Sequence, residues 1–199
     1  MATPLSYANK VQQHPRELDE FVQFVRAERI TSYCEIGCKF GGLTWQVAQA
    51  LTPRARIVAV DMPNQAWGRS DSDESLRNCV KALRALEFDA HLFIGDSTSP
   101  AIVDHVKALA PFDLLFIDAN HTESYVRKDF QAYGAMANIV CFHDIGWNNP
   151  TPPGRLPIEV PKVWADIKKV YQTAATFKEI KYDNGHNGIG IMRWDQAPV

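Results

Sequence analysis

Four apolar runs in this chain each end on an aspartate: Ile57-Val58-Ala59-Val60-Asp61, His91-Leu92-Phe93-Ile94-Gly95-Asp96, Leu114-Leu115-Phe116-Ile117-Asp118 and Ile139-Val140-Cys141-Phe142-His143-Asp144. A fifth, Tyr33-Cys34-Glu35-Ile36, opens into Gly37-Cys38-Lys39-Phe40-Gly41-Gly42. Carboxylates can accept sugar hydroxyls or hold a hard cation, and histidines such as His121 and His143 can carry a proton. If the runs are parallel strands of one sheet, these groups gather along its carboxyl edge, where open α/β sheets bind ligands. The chain therefore reads as a small-molecule site and as an enzyme.

The glycine loop is spaced G-x-x-x-G-G, at Gly37, Gly41 and Gly42. Glycine there permits a tight turn and a close backbone approach to a ligand, with a helix N-terminus following. The spacing differs from the G-x-G-x-x-G of dinucleotide sites. Asp61, one strand further on, is placed to accept both ribose hydroxyls of a nucleoside. A helix cap is the competing role for Asp61, but a long polar loop separates it from the next helix. Ser99, before Pro100, is expected to cap a helix, which leaves Asp96 and Ser97 free to face an adenine. Glu35 lies inside a buried run and must be paired or hydrogen-bonded. A local cation, backbone N–H groups or an amino group on the ligand would each serve.

The elements that must position these groups follow from periodicity. Leu18, Phe21, Val22 and Val25 predict a leading helix over 14–29. Strands are expected at 32–37, 56–61, 90–96, 112–118 and 138–144. Between them run helices over 44–51, from Asp71 to Leu86 with Asp71 and Glu74 at capping-box spacing, from Ser99, and from Asn120 to about Ala132, with Asn120 and Glu123 at the same spacing. After a proline-rich loop at 149–154 comes a helix over 160–171. The runs 176–182 and 188–194, joined by Asp183-Asn184-Gly185-His186-Asn187, predict an antiparallel hairpin. This alternation predicts a mostly parallel α/β sheet covered on both faces, in one domain over 1–199. A leading helical segment occupies 1–30 and the core 31–194.

Composition sets the outer bounds. With 199 residues, 46% hydrophobic, 22% charged and a formal net charge of -2, the chain has the balance of a soluble globular protein and lacks a basic block for nucleic acid. No run is long enough to span a membrane, and the start shows no secretory signal, so a cytoplasmic location is expected. Cys34, Cys38, Cys79 and Cys141 read as buried, reduced residues. The leading helix offers a packing face for a homo-oligomer.

Together these features resemble the class I S-adenosylmethionine-dependent methyltransferases, over roughly Thr31 to Trp194. That resemblance implies a Rossmann-like, doubly wound seven-stranded sheet closed by the hairpin. Phe116-Ile117-Asp118-Ala119-Asn120-His121 with Tyr125-Val126 and Asp129 is similar to the F-I-D-x-x-H-x-x-x-x-V-x-x-D signature of a small-molecule O-methyltransferase group. That group includes cephalosporin-hydroxylase-like proteins and sugar and macrolide O-methyltransferases. Phe142-His143-Asp144 and Pro161-Lys162-Val163-Trp164 are similar to its later pattern. Ala119-Asn120 departs from its usual Gly-Asp, and Ala135-Met136-Ala137 from its Gly-Gly turn.

The resemblance implies that Glu35, Gly37, Gly41 and Gly42 line the methionine part of S-adenosylmethionine, Asp61 holds the ribose, and Asp96 and Ser97 meet the adenine. It also sets Asp118 and His143-Asp144 in the places of the metal ligands of metal-dependent O-methyltransferases. The sulfonium already activates the methyl group, so the protein must align a hydroxyl acceptor and remove its proton. A divalent cation, Mg²⁺ or Mn²⁺, on Asp118, His143 and Asp144 would lower the hydroxyl pKa, an imidazole ligand favouring the softer ion. Otherwise His143 or His121 would be the base. The simplest alternatives are Asn120 as a helix cap, His121 as part of the same helix start, and Asp118 tied to backbone amides.

The 146–158 loop with Trp147 is either a substrate lid or a stiff connector, Trp67 either a cover for the adenosine or a surface aromatic, and His186 part of a solvated turn. No partner is evident for His14, His91 or His105. A nicotinamide-dependent oxidoreductase and a non-catalytic nucleoside-binding domain are the competing functions. The terminal hairpin and glycine spacing weigh against the first, the second polar cluster against the other.

Overall fold

Alternation along each strand decides the layering, because successive side chains face opposite sides of a sheet. The computed structural model describes residues 10–63, 72–182 and 186–196. Its strands are β1 (Ser32–Ile36), β2 (Arg56–Asp61), β3 (Asp89–Ile94), β4 (Phe112–Ile117), β5 (Ala137–Phe142), β6 (Ala175–Ile180) and β7 (Ile189–Trp194). They form one sheet in the order β3-β2-β1-β4-β5-β7-β6. The five strands from β3 to β5 are parallel, while β7 runs antiparallel between β5 and β6. The expected hairpin is therefore present; its residues 183–185 lie outside the described part.

Among the described residues, six α-helices cover the sheet: α1 (Pro15–Glu28), α2 (Gly42–Ala48), α3 (Ser72–Ala85), α4 (Pro100–Lys107), α5 (Glu123–Tyr133) and α6 (Val160–Val170). Tyr33, Ile57, Ala59, Leu114 and Phe116 face Phe21 and Val25 of α1, Val47 of α2 and Leu76 and Leu83 of α3. Cys34, Val58, Val60, Leu115 and Phe142 face Val106 of α4, Val126 of α5 and Trp164 of α6. Both faces are buried, which is why the parallel strands read as unbroken apolar runs.

The chain winds from β1 outward to β3, then returns to β4 on the other side of β1. The carboxyl ends of β1 and β4 thus flank the point where the strand order reverses, the expected place for a ligand. Register fixes what meets there. Ile36 pairs with both Val60 and Ile117, and Ile117 pairs with Phe142. One residue further along, Gly37, Asp61, Asp118 and His143 come side by side.

Several local expectations shift. Helix α2 begins at Gly42 rather than Thr44, with Gly41 as its left-handed N-cap. Helix α5 begins at Glu123, and the Asn120 capping box does not form. Asn120 instead accepts from the N–H and hydroxyl of Thr122, while the Glu123 N–H donates to Glu159 from the start of α6. A carboxylate brought from a distant segment has displaced the local cap. Ser99 holds the N-cap position of α4 without a side-chain capping bond. Asp71 and Trp67 lie outside the described residues.

Candidate active site

At the reversal point a cavity of about 470 Å³ opens on the carboxyl edge of the sheet. It is lined by Glu35, Gly37, Gly42, Asp61, Asp96, Ser97, Asp118, His121, His143 and Asp144. Of the residues assigned to catalysis, metal or cofactor from the sequence, all but Gly41 are in its wall. Gly41 has φ +80°, and a Cβ there would lie 2.8 Å from that of Cys79, so it packs the loop closely against α3. Gly37 has φ +93°, and a side chain there would come within 2.5 Å of the Ala119 backbone. Only glycine lets the ends of β1 and β4 close to this distance.

Asp61 ends β2 beside the glycine loop. Burial pushes its carboxyl up to about 6, although backbone N–H groups of Lys39, Cys38 and Met62 oppose the shift. The loop and the carboxylate therefore hold each other. Glu35 is 1% exposed. Its Oε2 accepts from the Tyr33 hydroxyl at 2.9 Å and the Thr44 hydroxyl at 2.7 Å. Tyr33 lies two residues earlier on the same face of β1, and Thr44 faces it from α2. Burial pushes the Glu35 carboxyl up to about 8 against the pull of these hydroxyls. Among the described residues, hydroxyls rather than a cation or backbone amides meet it.

The β3–α4 loop differs from expectation. Asp96 Oδ1 accepts from the Thr98 N–H and hydroxyl, both at 2.8 Å. The Ser97 hydroxyl donates to Asp129 Oδ1 at 2.7 Å. Ser97 lines the cavity, but its proton is committed to α5 and is not free for a ligand. The reason is tertiary: Asp129 faces this loop from a helix two elements away.

At the other end of the cavity, Asp118, His121, His143 and Asp144 converge. Asp118 Oδ1 lies 3.0 Å from His121 Nε2 and 3.2 Å from His143 Nδ1. Asp144 follows His143 with φ +60°, a left-handed turn that brings its carboxylate within 3.4 Å of His143 Nδ1 and 3.5 Å of His121 Nε2. Burial alone would raise the Asp118 pKa, but the His143 and His121 rings hold it well below the usual carboxylate range. Burial works against a charged His143 as well; Asp118 and Asp144 outweigh it and raise its pKa. Burial raises the Asp144 carboxyl, partly offset by the two rings. Ligand atoms of Asp118, His143 and Asp144 all lie within 4.8 Å of one another, a spacing that could hold a metal ion.

Two site residues were missed in the sequence, and both come from the leading segment. Glu17, 1% exposed, accepts from His143 Nε2 at 3.0 Å and from the Gly188 N–H. This fixes His143 with Nδ1 toward the two aspartates. The available signal was position: Glu17, Phe21 and Val25 share the buried stripe of α1, where a lone carboxylate is costly without a partner. Gln13 donates to Asp118 Oδ2 at 3.2 Å, and Lys39 to Gln12 at 3.1 Å. The segment from Lys10 thus crosses over the glycine loop.

Tyr125, Trp147, Leu156 and Ile158 supply an apolar wall beyond the polar cluster. His186 is less isolated than expected: its ring meets Trp147 edge-on at 4.8 Å. His14 accepts from the Arg16 N–H, His91 pairs with Asp89, and His105 stacks on Phe93. The four cysteines are buried and free, as expected. No described helix is long and apolar enough to cross a membrane.

A seven-stranded sheet of this order, mostly parallel and closed by an antiparallel hairpin, is the Rossmann-like methyltransferase fold. The model of a family described as a methyltransferase domain matches residues 34–145. The chain belongs to this family, the class I S-adenosylmethionine-dependent methyltransferases. No curated protein matches the sequence.

Solved structures agree on the fold. An O-methyltransferase from Bacillus cereus in complex with S-adenosylhomocysteine (SAH) is 13% identical, with a TM-score of 0.67 over 92% of this chain and 82% of its own. TomG from Streptomyces achromogenes, an O-methyltransferase of tomaymycin synthesis bound to S-adenosylmethionine, is 17% identical, with a TM-score of 0.62 over 94% and 82%. A Staphylococcus aureus protein proposed to be a caffeoyl-CoA O-methyltransferase is 18% identical, with a TM-score of 0.65 over 94% and 87%.

Proposed function

We propose that this methyltransferase moves the methyl group of S-adenosylmethionine to a hydroxyl of a small molecule, assisted by a divalent cation at Asp118, His143 and Asp144. The observation that carries this reading is the convergence of two aspartates and two histidines at the end of β4 and β5, in the same cavity as the glycine loop and Asp61. Oxygen is the acceptor atom in the names of the Bacillus cereus and Streptomyces achromogenes structures, and both were solved with the sulfonium or its product.

In this reading Gly37 and Gly42 face the methionine moiety, with the Glu35 carboxyl near its amino group. Asp61 accepts the ribose hydroxyls, and the loop from Gly95 to Ser97 meets the adenine. Gly41 supports the turn from behind. Tyr125, Trp147, Leu156 and Ile158 pack an apolar acceptor with its hydroxyl toward Asp118. The acceptor oxygen then attacks the methyl carbon in line as the carbon–sulfur bond breaks, leaving the thioether product.

The donor set fits a cation. Two carboxylates and one imidazole nitrogen are gathered, and the other nitrogen of that imidazole is held by Glu17, the outer-shell arrangement typical of metal-ligating histidines. Mixed oxygen and nitrogen donors favour Mn²⁺ or another softer ion over Mg²⁺. Such an ion, when bound, lowers the pKa of the acceptor hydroxyl. His121, on the cavity wall with Nε2 3.0 Å from Asp118 Oδ1, would take the released proton.

A metal-free variant, with His121 as base and Asp118 orienting it at 3.0 Å, is the second reading. A screen of hydroxylated metabolites for SAH release, run with Mn²⁺ and with EDTA, tests both. Turnover lost in EDTA and restored by Mn²⁺ supports the cation; turnover indifferent to EDTA leaves the histidine alone. Methylation confined to nitrogen acceptors would overturn the O-transfer reading.

A further inference from the structure

Asp129 ends the motif that begins at Phe116, yet it touches neither the cavity nor the acid–histidine cluster. It is 0% exposed, and its Oδ2 has no hydrogen-bond partner among the described residues. Buried carboxylate oxygens are rarely left in this state without a reason beyond stability. Its Oδ1 takes the proton of the Ser97 hydroxyl at 2.7 Å. One helical turn later on α5, the Tyr133 hydroxyl donates to the Ser97 carbonyl. Side chain and main chain of Ser97 are thus both held from a single helix. Burial pushes the Asp129 carboxyl up to about 7, and the neighbouring Asp96 adds to the shift.

The loop clamped in this way, Gly95 to Ser97, lines the cavity at the end of β3. Between its two ends, α5 spans the site: its leading turn follows Asp118 and His121, and its last turns grip this loop. We infer that Asp129 is a positioning residue for the cofactor, holding Ser97 so that the β3–α4 loop meets the adenine ring in one register. This rests on the adenine placement proposed above. The consequence is selectivity: a fixed loop can match the donor and acceptor pattern of adenine, whereas a loosened one meets any purine about equally.

The test is calorimetric titration of the full chain with SAH and with S-inosylhomocysteine, in which hypoxanthine replaces adenine. Wild type should prefer SAH. Asp129→Leu should weaken SAH binding roughly five- to tenfold, the worth of one well-made hydrogen bond, while changing the inosyl compound little. Asp129→Asn should restore most of the preference, because the amide oxygen still accepts the Ser97 proton. If Asp129→Leu does not fold, Ser97→Ala removes the same contact from the loop side and should lower the preference likewise.

A purely structural Asp129 would weaken both ligands together, and that result overturns the inference. So does unchanged SAH affinity in Asp129→Leu. Wild type that binds both compounds equally would refute the adenine placement itself, and this inference with it. Selectivity in wild type that survives Asp129→Leu refutes the role of Asp129 alone.

Discussion

Glu17 Oε1 lies 3.0 Å from His143 Nε2, across 126 residues of sequence. The contact ties the first helix to the end of β5 and leaves only His143 Nδ1 directed at Asp118 and Asp144. A carboxylate in this outer position orients a ligating imidazole and strengthens it as a donor. Glu17→Gln should therefore weaken divalent-cation affinity about 10- to 100-fold while SAH affinity changes little. Equilibrium dialysis with Mn²⁺ beside SAH calorimetry reads both. Equal losses of the two ligands would mean that Glu17 supports the fold alone.

Asp61→Ala removes a carboxylate that the glycine loop and β2 set into the cavity wall. Hydrogen bonds to a charged acceptor are worth about 1.5–3 kcal/mol, so SAH should bind roughly 10- to 150-fold more weakly. Metal affinity at the other end of the cavity should stay as in wild type. Unaltered SAH binding would remove the ribose role.

Glu35 predicts a pH signature in the ligand-free protein. Its folded-state pKa is raised from 4.5 to about 8 by burial, so the native state keeps a proton that the unfolded chain has lost. Stability due to this group falls as pH rises from about 4.5 to about 8, by about 1.4 kcal/mol per pH unit, and then levels off. Glu35→Gln, which cannot ionise, should lack this slope. Urea melts of both proteins across that range give the difference directly.

Gly37→Ala should be severe. With φ +93° and a Cβ contact of 2.5 Å to the Ala119 backbone, the ends of β1 and β4 must separate. A loss of at least about 2 kcal/mol is expected from strain and overpacking. Thermal unfolding measures it, and a stability within experimental error of wild type would contradict the close approach. Gly154, with φ +76° but nothing within 4 Å of its added Cβ, serves as the milder control.

The sheet was legible because each parallel strand is a two-faced buried run stopped by a polar residue. Asp61, Asp96, Asp118 and Asp144 marked four strand ends, and Gly37 the fifth. Once the strands were parallel, their register brought Asp118 beside His143 without further information. What could not be read were contacts set by tertiary placement. Glu159 caps α5 in place of Asn120, and Asp129 takes the Ser97 proton expected to be free. The partner of Glu35 proved to be two hydroxyls, one of them on a different element. Glu17 was visible only as a charge on the apolar stripe of α1, with nothing in the sequence to name His143 as its partner.

As one cation site, Asp118, His143 and Asp144 should bind a single divalent ion beside the proposed cofactor pocket. Metal analysis after dialysis against Mn²⁺, on wild type and Asp118→Ala in the presence of SAH, tests it most directly. Wild type should carry one equivalent of Mn²⁺ and the variant none, with SAH bound by both. Wild type that carries no metal, or a variant that carries as much, would contradict it.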